Sequence, residues 1–253
     1  MVTWSAGEIE TAKSKCKKLL EGATLEYELL PPIKEGVCGA PAPILVKSIG
    51  EPKVVIEPAA TLTCRLASNL ARWLSEHVQP EATAQFGARV VKLRNVSSYV
   101  CRKRNGGPEA PLSEHALANA LDISAFVLKS GEEVAVLEGW PRAVASEPPV
   151  PKPNPVRPTE ITGAIPLPEP KPPIPVSRVK ATEKANIAAP PPPLAVEPQQ
   201  RTPLSEREAH FLKDVHDAAC QSFGTVLGPD ADEAHKNHFH LDMKPRRHSS
   251  LCQ

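Results

Sequence analysis

Residues 113–126, SEHALANALDISAF, place a histidine and an aspartate seven positions apart, at His115 and Asp122. The pattern of apolar side chains after this pair predicts a strand over residues 121–128. A turn at Ser130-Gly131 then leads into a second predicted strand over residues 133–137. The stretch therefore brings two potential metal ligands to the start of a predicted sheet strand.

A second stretch, HKNHFH at residues 235–240, contains three closely spaced histidines. Side chains alternate between the two faces of a strand, so His238 and His240 point to one side and Phe239 to the other. A catalytic zinc ion takes three protein ligands with nitrogen or carboxylate donors and keeps a fourth position for water. Neither stretch supplies such a set alone, and an H-x-H pair by itself is also typical of an exposed strand face. Together they predict a shared site, which requires both stretches to join one sheet.

Helices and strands are predicted along most of the remaining chain. A capping box of Ser5 and Glu8 begins a helix over residues 5–21, and Ser205 with Glu208 repeats this signature before another helix. The other predicted elements are a helix at residues 64–77 and strands at residues 25–29, 44–46, 54–56, 90–96, 98–102, 225–227 and 238–243. This order of elements indicates an α+β fold in which helices flank an antiparallel sheet. The zinc site predicted from the two stretches would lie on that sheet.

The composition changes abruptly at residues 141–203, which contain 19 of the 30 prolines and few large apolar residues. Such a segment cannot bury enough apolar surface to offset the entropy lost on ordering, so it is predicted to be a disordered insertion. Residues 1–140 and 204–253 are then the two parts of one domain, provided that the last elements complete the first sheet.

Charge and cysteine content limit the partners and the compartment. The 30 lysines and arginines nearly balance the 29 aspartates and glutamates, which argues against a nucleic-acid partner. Six dispersed cysteines without a C-x-x-C pair predict disulfides and thus a periplasmic or secreted protein, with 15 pairings left open. No apolar run approaches the roughly 18 residues of a membrane span, and no signal peptide is expected in this chain.

The two metal-binding stretches resemble a known superfamily of zinc proteins. Ser-x-His followed by x-x-Gly-x-Ala-x-Asp and a later His-x-His is typical of the zinc D-Ala-D-Ala carboxypeptidases, the penicillin-insensitive murein endopeptidases and the hedgehog signalling domain. The segments YVCRKRNG, SEHALANALDISAF, FGTVLGP and HKNHFHLDM are more similar to the bacterial extensin-like C-terminal domain. This resemblance covers roughly residues 12–140 and 206–245.

The resemblance implies a zinc peptidase that acts on peptidoglycan stem peptides or cross-links. The zinc ligands would be His115, Asp122 and His240. His238 would orient or polarise the water, and His235 would resemble the general base of the superfamily. Arg102 resembles a family position that pairs with a substrate carboxylate or the oxyanion, although a solvated loop arginine is an alternative. Lys103 and Arg104 are interpreted as solvated charges.

One residue departs from the superfamily pattern, because Ala118 stands where the pattern has glycine. If this position needs a positive φ, alanine costs strain and alters the spacing of His115 and Asp122. Two alternatives to a peptidase therefore remain: a catalytically weak, zinc-stabilised module that binds cell-wall peptides, and a structural spacer protein dominated by its proline-rich segment. Nucleotide-binding, thermolysin-type and α/β-hydrolase motifs are absent from the sequence.

Overall fold

In the computed structural model of the protein, residues 3–104, 107, 109–141, 204–246 and 249–253 are described. The helices are α1 (Ala6–Leu20), α2 (Cys64–Trp73), α3 (Gln79–Phe86), α4 (Val136–Gly139) and α5 (Leu204–Ser222). The strands are β1 (Leu25–Leu29), β2 (Ile33–Glu35), β3 (Cys38–Ala40), β4 (Ile44–Ile49), β5 (Val54–Leu62), β6 (Val90–Ser97), β7 (Ala120–Leu128), β8 (Glu133–Ala135), β9 (Thr225–Leu227), β10 (Phe239–Asp242) and β11 (Leu251–Cys252).

A mixed sheet of nine strands organises the described part of the chain. Its order is β1-β4-β5-β6-β7-β10-β9-β11, with β8 paired to β7, while β2 and β3 form a separate hairpin. Strand β7 pairs antiparallel with β10, so strands from both sides of the proline-rich segment are neighbours. The predicted disordered insertion, apart from Pro141, lies outside the described residues.

The sheet is mixed and not antiparallel as predicted, although the α+β class is confirmed. Strand β5 pairs in parallel with β6, and β9 pairs in parallel with β11. Parallel neighbours need a crossover connection, and the helical segment of α2 and α3 between β5 and β6 supplies it. The predicted helix over residues 64–77 is thus a crossover element as well as a core element.

That helical segment also runs further than expected. It passes from α2 through a π-helical turn, Leu74–Val78, directly into α3. The helix continues past Pro80, which lies in the first turn of α3 directly after the π-helical turn. The helix ends at Gly87, whose φ of +65° closes its C-terminus in the left-handed conformation.

The predicted strand over residues 98–102 is absent from the described structure. Strand β6 ends at Ser97, and Cys101 is joined to Cys38 of the β2–β3 hairpin. The backbone carbonyl of Ser98 accepts a hydrogen bond from a histidine ring instead of a neighbouring strand. The residues after β6 therefore leave the sheet and form a loop beside the candidate site.

All six cysteines form disulfides, as the even and dispersed count predicts. The pairs are Cys16–Cys64, Cys38–Cys101 and Cys220–Cys252. The first joins α1 to α2, and the third joins α5 to β11. These two disulfides therefore tie the first helix and the last strand of the described residues to neighbouring helices.

The hydrophobic core lies between the sheet and the helices. Trp73 of α2 is completely buried, and its indole Nε1 donates a hydrogen bond of 3.0 Å to the Val215 carbonyl in α5. The largest fully buried side chains are Trp73, Phe126, Phe211, Phe239, Ile44, Ile49, Leu62, Leu66, Leu70, Leu93, Leu121 and Ile123. Both parts of the chain thus contribute to one core. None of the described helices has the length and apolarity that a membrane crossing requires.

Candidate metal centre

The pairing of β7 with β10 brings the two sequence stretches together. His240 lies directly opposite Asp122 in the antiparallel register, so both side chains project from the same face of the sheet. Phe239 points the other way and is fully buried in the core, as the alternation predicts. The sheet register therefore places a carboxylate and an imidazole side by side.

His115 reaches the same place from a short 3₁₀ turn, Glu114–Leu117, just before β7. Ser113 caps this turn, because its hydroxyl accepts a hydrogen bond from the His115 backbone N–H at 3.3 Å. Ala118 ends the turn with φ 52° and ψ 26°. The backbone can then enter β7 with His115 and Asp122 close together.

Among the described residues with positive φ, Ala118 is the only one that is not glycine. The condition raised from the sequence is therefore met, and alanine adopts the left-handed conformation at a cost of about 1–2 kcal/mol. The spacing is nevertheless retained, since His115 Nε2 lies 3.1 Å from Asp122 Oδ2. The strain does not separate the two candidate ligands.

Three potential donor atoms converge at this point. The Nδ1 atom of His240 lies 2.8 Å from Asp122 Oδ1 and 3.2 Å from His115 Nε2. In a tetrahedral site with metal–ligand bonds of about 2.0–2.1 Å, neighbouring donors lie about 3.3 Å apart. The spacing and the two-nitrogen, one-carboxylate chemistry of His115, Asp122 and His240 both fit a divalent metal ion such as zinc.

The outer nitrogen of each histidine faces an acceptor. His115 Nδ1 lies 2.6 Å from the Ser98 carbonyl, and His240 Nε2 lies 3.3 Å from Asp242 Oδ2. A proton held on each outer nitrogen leaves the inner nitrogen with a free lone pair toward the shared point. The surroundings thus select the tautomers that metal binding requires.

Burial and hydrogen bonding also shift the pKa values of the acidic and basic groups. Desolvation by itself would raise the pKa of Asp122, but hydrogen bonds with His115 and His240 outweigh it and hold that pKa well below its usual range. Desolvation would lower the pKa of His240, but hydrogen bonds to Asp122 and Asp242 raise it to about 9. The ionised carboxylate of Asp122 is thus neutralised by the protonated His240, and a metal ion bound by both residues would displace that proton.

A second group of potential ligands consists of His216, Cys220 and Cys252. Its two sulfur atoms are joined in a disulfide, so neither is available as a thiolate. The group centred on Asp122 is therefore the better candidate.

His235, the predicted general base, lies in a 3₁₀ turn, Glu233–His235, close to the donor cluster. Its ring centre is 5.7 Å from that of His240, and its Nδ1 lies 2.7 Å from Asp232 Oδ1. Desolvation opposes ionisation of Asp232, but the hydrogen bond from His235 prevails and lowers the pKa of Asp232. The pair resembles a base and its orienting carboxylate, in which Nε2 of the imidazole is left to accept a proton.

His238, the predicted water-orienting residue, lies beside the same carboxylate. Its Nε2 is 3.7 Å from Asp122 Oδ2, and its ring centre is 5.3 Å from that of His235. Desolvation lowers the pKa of His238, which keeps its imidazole neutral. Its side chain thus faces the donor cluster on the side that the strand alternation predicts.

A cleft of about 200 Å³ opens onto the cluster. Its lining includes the candidate ligands His115 and His240 together with His235 and Arg102, whereas Asp122 and His238 are outside this lining among the described residues. Arg104, interpreted from the sequence as a solvated charge, also lines the cleft. The cleft therefore borders the candidate centre on the side of His115 and His240.

Three contributors to the site are missing from the sequence prediction. Asp242 continues the two-residue alternation of His238 and His240, so this pattern could have identified it. Asp232 and the Ser98 carbonyl have no such signal, because only the tertiary structure brings them to His235 and His115.

Comparison with known proteins places the fold and the site in context. A family model described as "Extensin-like protein C-terminus" matches residues 14–148 and 193–253. These two matches contain all the residues of the donor cluster and of the cleft. No curated protein and no solved structure matched the chain.

Proposed function

The chain belongs to the extensin-like protein C-terminus family, and from this premise we propose that it is a zinc-dependent peptidase that cleaves stem peptides or cross-links of peptidoglycan. The resemblance of Ser113, His115, Asp122, His238 and His240 to the superfamily of zinc D-Ala-D-Ala carboxypeptidases and murein endopeptidases supports the substrate class.

The proposal is supported most directly by the cluster of donor atoms and by the acceptors that face the outer nitrogens of its two histidines. Three donor side chains from both parts of the chain approach one another at 2.8–3.2 Å, and the outer nitrogen of each imidazole faces an acceptor, which favours a lone pair on the inner nitrogen once metal is bound. A structural zinc site uses four protein ligands, whereas three ligands beside an open cleft are typical of a catalytic site. We therefore assign His115, Asp122 and His240 as the ligands.

The metal ion, when bound, supplies Lewis acidity and lowers the pKa of a water molecule toward about 7. His235 is placed to accept the proton of that water, since Asp232 holds its Nδ1 proton and fixes the ring. His238 lies next to Asp122 and polarises the same region. Arg102 lines the cleft and offers guanidinium donors to an oxyanion or a carboxylate of the substrate.

The compartment proposed for this activity is the periplasm or the cell exterior. Three disulfides that use every cysteine form and persist in oxidising environments. Peptidoglycan lies in the same environment, so the compartment and the proposed substrate agree.

The strain at Ala118 favours a second candidate, a peptide-binding module that holds zinc but turns over slowly. Alanine in the left-handed region costs about 1–2 kcal/mol, and Ala118 lies in the sequence between the candidate ligands His115 and Asp122. The short donor distances weigh against this candidate, because the strained turn still brings His115 to Asp122.

Purified muropeptides incubated with the zinc-loaded protein, the chelated protein and the protein reloaded with zinc would separate the candidates. A peptidase gives new chromatographic products that disappear with the chelator and return with zinc. A binding module retains peptides without forming products. Products that persist after complete metal removal would contradict both.

A further inference from the structure

Three arginines line the cleft beside the candidate metal centre. Arg102 and Arg104 come from the loop after β6, and Arg246 comes from the segment after β10. In the described part of the chain, none of the three forms an ion pair with a carboxylate. Their positive charge is therefore available to a ligand in the cleft.

The two carboxylates of the cleft already have partners. Asp232 accepts hydrogen bonds from His235 and from the Ala234 backbone N–H, at 2.7 and 2.9 Å. Asp242 is buried and accepts hydrogen bonds from His240 and from the Lys244 backbone N–H, at 3.3 and 2.9 Å. Asp242 therefore faces the protein interior, whereas the exposed carboxylate of Asp232 is paired with His235. The three arginines outnumber this one accessible carboxylate, so the cleft presents a net positive charge to a ligand.

Arg246 is held in place by the structure around it. Its Nη2 donates a hydrogen bond of 2.6 Å to Thr225 Oγ1, and Thr225 lies directly opposite Asp242 in the β9–β10 register. The preceding Lys244 is fixed by Asp242, and its carbonyl would lie 2.2 Å from a Cβ atom at Gly224. Glycine at residue 224 thus permits the close approach that seats the arginine segment against β9.

The backbone around Arg104 is also fixed by hydrogen bonds. Its N–H donates to the Pro111 carbonyl at 3.0 Å, and the Arg102 carbonyl accepts from the Ser113 N–H at 3.1 Å. The Cys38–Cys101 disulfide anchors the start of this loop. Arg102 and Arg104 both line the cleft from this loop.

We infer that Arg246 and Arg104 form an anion subsite that binds a free carboxylate of the substrate close to the bond that is cleaved. The inference rests on the proposed function for the cleavage, but the carboxylate binding can be measured without it. A guanidinium group matches a carboxylate with two parallel N–H donors, and a partly enclosed cleft strengthens this pairing. Peptides with an uncharged group at this position would bind weakly.

A stem peptide offers such a carboxylate near its scissile bonds from two sources, its C-terminus and the side chain of a dicarboxylic diamino acid. The third carboxylate, on the γ-linked glutamate, is amidated in every test peptide. Three synthetic tetrapeptide stems separate them: one with both carboxylates free, one with a C-terminal amide and one with the side-chain carboxylate amidated. Calorimetric titration into zinc-loaded His235→Ala protein measures their Kd without turnover. We expect one of the two amides to raise the Kd by about 10- to 100-fold, the loss typical of a charge-assisted hydrogen bond.

Arg246→Gln and Arg104→Gln, each introduced into the His235→Ala protein, test which residues bind the carboxylate. Each should weaken binding of the free peptide by about 10- to 100-fold and reduce the penalty of the amide, because the two changes remove the same contact. Arg72→Gln is the matched control, since it removes an exposed arginine of α2 outside the cleft and should leave both Kd values unchanged.

The inference is overturned if both amides bind as tightly as the free peptide, or if the penalty of amidation survives both arginine substitutions. If amidation no longer raises the Kd in Arg102→Gln but still raises it in the other two variants, the carboxylate is bound by Arg102. That result would also overturn the inference. Carboxylate-dependent binding by a wild-type protein that yields no products would contradict the proposed peptidase and leave the subsite standing. If the wild-type protein cleaves all three peptides at the same rate, the carboxylate subsite is contradicted and the proposed peptidase stands.

Discussion

The Nε2 atom of His240 lies 3.3 Å from Oδ2 of Asp242, two residues further along the same strand, and both side chains are buried. The strand period makes this contact possible, because both side chains project from one face of β10. Oδ1 of the same aspartate accepts a hydrogen bond from the Lys244 N–H at 2.9 Å. One carboxylate therefore orients a candidate metal ligand and also fixes the segment that follows β10.

Asp242→Asn should lower zinc affinity by about 10- to 100-fold without unfolding the protein, the usual effect of losing a carboxylate behind a metal-binding histidine. If the asparagine oxygen keeps the bond from Lys244, its amide N–H faces His240 Nε2 and favours the tautomer with its proton on the metal side. Competition with a chromophoric zinc chelator measures the affinity. Asp232→Asn is the matched control, because it removes the partner of His235 and should keep zinc affinity. Equal losses in both variants would contradict the role of Asp242.

Alanine at His240 and at His235 should impair the protein in different ways. His240→Ala removes one of three ligands, so the purified protein should contain little zinc. His235→Ala removes the proposed proton acceptor alone, so zinc should stay near one per chain while turnover falls by about 10²- to 10⁴-fold. Metal analysis beside a muropeptide assay distinguishes them. Loss of zinc from His235→Ala and its retention in His240→Ala would mean that the ligands are assigned wrongly.

Ala118→Gly should leave the free energy of unfolding within about 1 kcal/mol of wild type. Relief of about 1–2 kcal/mol of left-handed strain offsets the lost methyl burial and the greater backbone entropy of glycine. Ala116→Gly is the matched control, since Ala116 is equally buried but has no positive φ. It should lose about 1–2 kcal/mol with no offset. Denaturant titration measures both, and equal losses would show that Ala118 is not strained.

Replacing residues 142–203 with a short Gly/Ser linker should preserve the fold and zinc binding. The two junctions meet in the structure, since a Cβ atom at Gly139 of α4 would lie 3.3 Å from the Glu208 Cβ of α5. A linker of about ten flexible residues spans roughly 15–20 Å, which exceeds the one turn of helix between Leu204 and Glu208. Circular dichroism and zinc content check the result, and loss of either would show that the removed segment contributes to the domain.

The strands that carry the site could be predicted because their patterns are local. The strand over residues 121–128 and the alternation of His238, Phe239 and His240 depend only on neighbouring side chains, and both appear in β7 and β10. Asp242 follows the same alternation, which places its carboxylate beside His240. The capped start of α1 at Ser5 is local in the same sense.

The parts that could not be predicted depend on distant residues. The parallel pairing of β5 with β6 follows from where the crossover helices pack, and no period in the sequence records that. Disulfide partners are 32–63 residues apart, so six cysteines alone left every pairing open. Likewise, the Ser98 carbonyl reaches His115 only because the chain leaves the sheet at Ser97.

The β7–β10 pairing determines when, during the life of the polypeptide, the centre can exist. His115 and Asp122 leave the ribosome early, whereas His240 follows 118 residues after Asp122. A growing chain, or a fragment cut between these positions, has two donors and therefore much weaker metal affinity than the full set. Closing so long a loop is also slow compared with forming local helices and hairpins. Tight zinc capture would thus mark a chain that has been synthesised past His240 and has paired β7 with β10.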